Sequence, residues 1–134
     1  MEEVIVAIHE IMKVTRTIAI VGMSTDPARA SNEVGRYLMP YYRIIPVNPN
    51  YDEILGMICY PDLLAVPEPV DMVDVFQRGE NVPLFVDDAI TIGAKVFWMQ
   101  LGIRNAQAAV RLRAAGLVVV EDRCTKIEHM RYMV

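Results

Sequence analysis

The segment Gly22-Met-Ser-Thr-Asp-Pro-Ala-Arg-Ala-Ser31-Asn32 gathers groups that can hold an anion. It lies between an apolar, β-branched run (Thr17 to Val21) and a stretch with helical character, so it reads as a strand-to-helix turn. Backbone N–H groups at a free helix N-terminus, with the hydroxyls of Ser24 and Ser31, form a natural anion site. The planar guanidinium of Arg29 adds a donor that can fork onto a phosphate. The competing reading is plainer: Ser31 caps its helix and Arg29 is a solvated charge, as any such turn allows.

Two absences bear on the ligand. The G-x-G-x-x-G dinucleotide fingerprint is missing, because Gly22 stands alone before Gly35. The second apolar run ends in Val47-Asn48-Pro49 rather than in the acidic residue that grips a ribose 2′-hydroxyl. Both count against NAD, and both are compatible with a ribose carrying a phosphate. No catalytic constellation emerges. His9 has apolar helical neighbours, His129 lies near the C-terminus, and adjacent Asp87 and Asp88 diverge on a helix. Trp98 and the nine methionines read as core filling.

The elements that must position these groups follow from periodicity and punctuation. Glu2 to Val14 is expected to be a helix, with Val4, Ile5, Ile8, Ile11 and Met12 at helical spacing. Strands are expected at Thr17–Val21, Tyr42–Val47, Met72–Phe76, Ala94–Met99 and Leu117–Val120. Helices are expected from a cap at Ser31 or Asn32 through Met39, over Asn81–Ile92 with Pro83 in the first turn, and from the Asn105 cap to Ala115. A last short helix covers Thr125 to Tyr132, and Asn50 to Pro69 is an irregular connection with a helical turn near Asp62 to Ala65.

Continuous apolar strands alternating with helices imply an α/β fold with a parallel sheet covered on both faces. The simplest arrangement is a doubly wound, Rossmann-like parallel five-stranded sheet, order 3-2-1-4-5, in one domain spanning residues 1–134. Ligands of such sheets bind beyond the carboxyl ends of the strands where the winding reverses, here between strands one and four. That selects Met23–Ser31 and Gln100–Arg104, with the ends of strands two and three beside them.

Composition narrows the classes. The chain has 134 residues, 54% of them hydrophobic, which excludes disorder. Thirteen basic residues against a net charge of −4, with no basic stripe, argue against nucleic acid. The longest charge-free run, Thr17 to Thr25, is far short of the ~20 residues of a membrane span. Glu2 and Glu3 replace the basic n-region of a signal peptide, so a cytoplasmic protein is expected. Cys59 and Cys124 lack metal-site spacing and read as reduced thiols.

Several segments together resemble the single-domain CoA-binding proteins, relatives of the N-terminal domain of the succinyl-CoA synthetase α-subunit. They are Ile20-Val-Gly-Met-Ser24, Pro27-x-Arg29-x-Ser31, Ile45-Pro-Val-Asn-Pro49, Tyr60-Pro61, and Pro67-Glu-Pro-Val-Asp71 running into Val73-Asp-Val-Phe76-x-Arg78. Trp98-Met-Gln-Leu-Gly-Ile103 and Glu121-Asp-Arg-Cys124 complete the match, in this order, over about Ile18 to Cys124. The resemblance implies coenzyme A or an acyl-CoA as ligand. Gly22, Met23 and Ser24 would line the phosphates with Arg29 and Ser31 nearby, and Val47, Asn48 and Pro49 would flank the adenosine. Phe76 and Arg78 would border the pantetheine, with Gln100 to Ile103 as the loop closing the cleft. Where some relatives place a Lys after the Asn-Pro pair this chain has Asn50, which shifts the phosphate contact onto Arg29.

The chain lacks a phosphohistidine domain and an ATP-grasp partner, so the resemblance implies binding without ligase chemistry. Two alternatives stand beside it: a nucleotide-dependent, NAD-like enzyme on the same fold, and a protein-interaction module with a vestigial cleft. The first helix is apolar on more than one face, so it covers either the sheet or an interface with a second copy or a partner enzyme.

Overall fold

A computed structural model describes residues 2–134, with side chains from Ala7 onward; the Val4 and Ile5 side chains therefore lie outside the described residues. Helix α1 spans Glu2–Val14, β1 Thr17–Val21, α2 Ala30–Leu38 and β2 Arg43–Val47. A two-stranded ribbon, β3 Glu53–Ile54 and β4 Met57–Ile58, follows, then a 3-10 turn over Leu63–Ala65 and β5 Met72–Val75. A second 3-10 segment, Gly79–Phe85, runs into α3 Val86–Thr91, followed by β6 Val96–Met99, α4 Ala106–Ala114, β7 Val118–Val120 and α5 Thr125–Tyr132.

The sheet is parallel, five-stranded and α/β as expected, but its order corrects the sequence expectation. It reads β2-β1-β5-β6-β7, which in strands of the main sheet is 2-1-3-4-5 rather than 3-2-1-4-5. The reason lies in the segment between β2 and β5. Leu63 and Val70 pack on the same face as Val82, Val86, Ala109 and Leu112, whereas Val34 and Leu38 of α2 pack on the opposite face with Ile8 and Met12 of α1. A right-handed crossover that changes face must also change direction. The chain therefore steps back over β1, and β5 lands beside it. The winding reverses between β1 and β5, so the end of β5 enters the cleft directly.

Strand side chains alternate between the two cores. Ala19, Val21, Val73, Val75, Phe97 and Met99 face one layer, and Ile18, Ile20, Met72, Val96 and Trp98 the other. Ile8, Ile11 and Met12 are buried against the second layer, so α1 covers the sheet. Asp71 holds the edge opposite the cleft, its Oδ2 accepting the N–H groups of Arg16 and Thr17 at 3.0 Å each. Pro83 lies inside a 3-10 segment rather than in the first turn of an α-helix, and α3 is confined to six residues beyond it. Among the described residues no helix is long and apolar enough to cross a membrane.

Candidate ligand-binding cleft

The cleft begins at Gly22, whose φ of +84° turns the chain out of β1. Its N–H donates to Val47 O at 2.8 Å, tying the end of β1 to the end of β2. A Cβ here would stand 2.6 Å from Phe76 O and 2.8 Å from Gln77 Nε2, so only glycine lets the end of β5 close in.

The following loop is held by its own polar groups. Ser31 Oγ accepts the Ser24 N–H, Ser24 Oγ accepts that of Asp26, and Asp26 Oδ1 accepts that of Ala28. Buried Asn32 donates to Ser24 O at 2.9 Å and accepts from Arg36 Nε at 2.8 Å. Ser31 thus braces the loop instead of capping the helix; Arg29 occupies the N-cap position and makes no side-chain cap. Neither the Ala30 nor the Ser31 N–H finds an acceptor among the described residues, and the exposed Arg29 enters no ion pair among them. Unsatisfied donors at a helix start beside an uncommitted guanidinium are what an anion needs.

Three hollows line this end of the sheet. The first, about 350 Å³, is walled by Gly22, Ser24, Arg29, Ala30, Ser31 and Phe76. The second, about 330 Å³, lies over the end of β2 and includes Val47, Asn48, Pro49, Leu63 and Phe85. The third, about 550 Å³, extends the other way past Phe76 to Val34, Gln100, Leu101, Ile103 and Ile127. They share walls: Gly22 joins the first two, and Ala30 and Phe76 join the first and third. The result is one groove with these open donors in its middle.

The residues singled out from sequence are placed as follows. Gly22, Ser24, Arg29 and Ser31 meet in the central hollow, and Val47, Asn48 and Pro49 meet in the second. Met23 is fully buried, its methyl seated over Gly35, and it lines none of the three hollows. Asn48 braces the floor: its Nδ2 donates to Met23 O at 3.0 Å and its Oδ1 accepts the Asn50 N–H. Phe76 stands between hollows, while Arg78 is exposed at the rim, 3.8 Å from Glu80. Ile103 lines the third hollow.

Gln100 is placed there too, but its side chain is 3% exposed and engaged below. Its Nε2 donates to Asp74 Oδ1 at 2.6 Å and to Thr125 Oγ1 at 2.7 Å, and the Thr125 hydroxyl donates to Asp74 Oδ2 at 2.9 Å. Asp74 has no exposed surface. Burial pushes its carboxyl up to about 7, with the hydrogen bonds from Gln100 and Thr125 pulling the other way. This triad pins the loop after β6 and the start of α5 to the middle of β5. The only sequence signal for it is one carboxylate inside an apolar strand, Met72-Val-Asp-Val75.

Neither histidine reaches the groove. His9 is exposed on α1, and buried His129 shares a 2.8 Å hydrogen bond with Tyr37 Oη, its imidazole held below its usual range by burial. Asp87 is exposed and pairs with Arg111. Cys59 and Cys124 are both free thiols; burial pushes the Cys59 thiol up, and Cys124 lines the third hollow.

Residues 16–130 match the family model described as CoA binding domain. The chain belongs to that CoA-binding family. YneT of Bacillus subtilis (strain 168), an uncharacterized protein, is 38% identical over 123 residues, 91% of each chain. ADP-forming acetate–CoA ligase I of Archaeoglobus fulgidus is 32% identical over 74 residues, which are 54% of this chain and 11% of the ligase. Among solved structures, a hypothetical protein from Pyrococcus horikoshii OT3 superposes with a TM-score of 0.94 at 39% identity, covering 97% of this chain and 92% of its own. This CoA-binding domain is thus homologous to one portion of the much longer ADP-forming ligases, and its fold matches nearly the whole of the Pyrococcus chain.

Proposed function

We propose that this CoA-binding domain holds coenzyme A or an acyl-CoA in the groove and performs no chemistry on it. The observation that carries the reading is the order of the hollows. The most enclosed of the three hollows, over the β2 end, suits an adenosine, the central donors Ala30 N–H, Ser31 N–H and Arg29 suit phosphates, and the apolar third hollow suits the pantetheine arm. β2 itself ends at Val47, before Asn48, without the acidic residue that grips the bare ribose of NAD; the two carboxylates lining that hollow, Asp62 and Asp88, come from other elements, and Asp62 Oδ1 accepts the Ala65 N–H.

A binding role, with no catalysis, is supported by the disposition of titratable groups. Asp74 lies under the floor with both oxygens engaged, and His9 and His129 are elsewhere. We place the protein in the cytoplasm on the same reading, since CoA thioesters are intracellular metabolites.

Thermal melts with CoA, acetyl-CoA, dephospho-CoA, NAD and NADP at one concentration test the reading. A ligand bound only by the folded state adds about 2.7 kcal/mol at a hundredfold excess over Kd. CoA and acetyl-CoA are expected to raise Tm most, dephospho-CoA less, and the nicotinamide dinucleotides little. NAD outranking CoA would overturn it in favour of a dinucleotide-dependent enzyme.

A further inference from the structure

The third hollow is the largest of the three, and its walls differ in kind from those of the other two. Val34, Phe76, Leu101, Ile103 and Ile127 face it, and Leu101 and Ile127 stand 65% and 40% exposed at its mouth. Of the polar side chains in its wall, the Gln100 amide is already spent on Asp74 and Thr125, and Gln77 and Arg78 lie along the Phe76 side. A thin pantetheine arm with polar amides leaves such a surface wet. We infer that the part of the hollow not covered by the pantetheine arm takes the hydrocarbon chain of a monocarboxylic acyl-CoA, so that the preferred ligand is a thioester of several carbons rather than free CoA. This rests on the CoA reading above and specifies the acyl class that the groove selects.

Continuity argues for that occupant. The hollow shares Ala30 and Phe76 with the anion site, so a thioester anchored by its phosphates delivers its acyl end there. Charge argues against a dicarboxylic acyl group. The guanidiniums on the α5 side of the hollow are paired: Arg104 to Asp122 at 2.8 Å, Arg123 to Glu128 at 3.1 Å and Arg131 near Glu128 at 3.9 Å, while Arg78 stands in solvent at the rim, 3.8 Å from Glu80. A second carboxylate held inside the hollow would meet apolar walls, with the one guanidinium of its lining at the solvent-exposed rim, and would lose its hydration there without replacement.

Isothermal titration of the full chain with CoA and with acetyl-, butanoyl-, hexanoyl-, octanoyl- and succinyl-CoA tests this. A fully buried methylene is worth about fourfold in affinity, so a hollow open on one side should give roughly twofold to fourfold per methylene from acetyl to hexanoyl. Succinyl-CoA should bind no tighter than acetyl-CoA. In Ile127→Asp the ratio of hexanoyl-CoA to CoA affinity should fall toward one; Leu101→Asp, in an exposed loop, supplies the same readout should the first variant not fold. A chain-length series that is flat while CoA still binds overturns the acyl inference and leaves the CoA reading standing. Tightest binding of succinyl-CoA also overturns it, and failure of every thioester and of CoA itself overturns both.

Discussion

Replacing Asp74 by Asn isolates the cost of keeping a carboxylate in the middle of the sheet. In the folded protein the group titrates near 7, against 3.8 for an unperturbed Asp. The folded state therefore holds a proton that the unfolded chain has released throughout that window, so stability falls as pH rises from about 4 to about 7 and levels off above. A shift of this size corresponds to about 4 kcal/mol in total, and about 3 kcal/mol falls between pH 4.5 and pH 8. Asn keeps the shape and the carbonyl that accepts from Gln100, and its amide faces the Thr125 oxygen, as a protonated Asp would. Urea unfolding of wild type and Asp74→Asn at intervals from pH 4.5 to 8, followed by fluorescence of the fully buried Trp98, reads the difference. The two curves should lie close at pH 4.5 and diverge as pH rises, with the variant the more stable by about 3 kcal/mol at pH 8. Parallel curves across the range would refute the argument that Asp74 is a destabilising buried charge at neutral pH.

Other outcomes follow from the same geometry. Arg29→Ala should weaken CoA binding by about 2 kcal/mol, the size of a charged hydrogen bond to phosphate, with little change in the Tm of the free protein; unchanged affinity in calorimetry removes Arg29 from the site. Gly22→Ala forces a Cβ against Phe76 O at a φ of +84°, and denaturant unfolding should show a loss of about 2 kcal/mol or more. His129, held neutral by burial beside Tyr37, contributes stability that is present above its unfolded value of 6.5 and lost as pH falls below it. His129→Asn should flatten the acid side of a stability–pH curve between pH 7 and 5, which chemical denaturation measures directly.

The five strands of the main sheet were legible as short, mostly apolar runs, with Gly22 after β1 and Asn48 after β2, and most of the helices from Pro, Asn or Gly at their ends. Strand order was not, because order depends on which face the β2–β5 connection covers, and Leu63 and Val70 carry no sign of that in sequence. The loop Gly22–Ser31 could be singled out as a candidate anion site from residue type, yet the division of labour within it could not. Ser31 and Asn32 looked like caps, whereas the structure spends them on Ser24 and leaves the Ala30 and Ser31 N–H groups open. Gln100 was identified for its position after β6, but its partners, Asp74 and Thr125, come from segments 26 and 25 residues away. Local pattern carries no information about contacts of that range. Met23 shows the converse: the motif singles it out for the cleft, while the structure buries it in the core under Gly35.

The central claim is that CoA lies across the carboxyl ends of β2, β1 and β5 with its phosphates at the start of α2. An amide NMR titration of the protein with CoA tests it residue by residue. The largest shifts are expected at the Ala30 and Ser31 amides, with further shifts at Asn48, Phe76 and Gln77 and none across α4 and β7. Saturable binding with its largest shifts on α4, on β7 or on the exposed face of α1, and with Ala30 and Ser31 unmoved, would contradict the account.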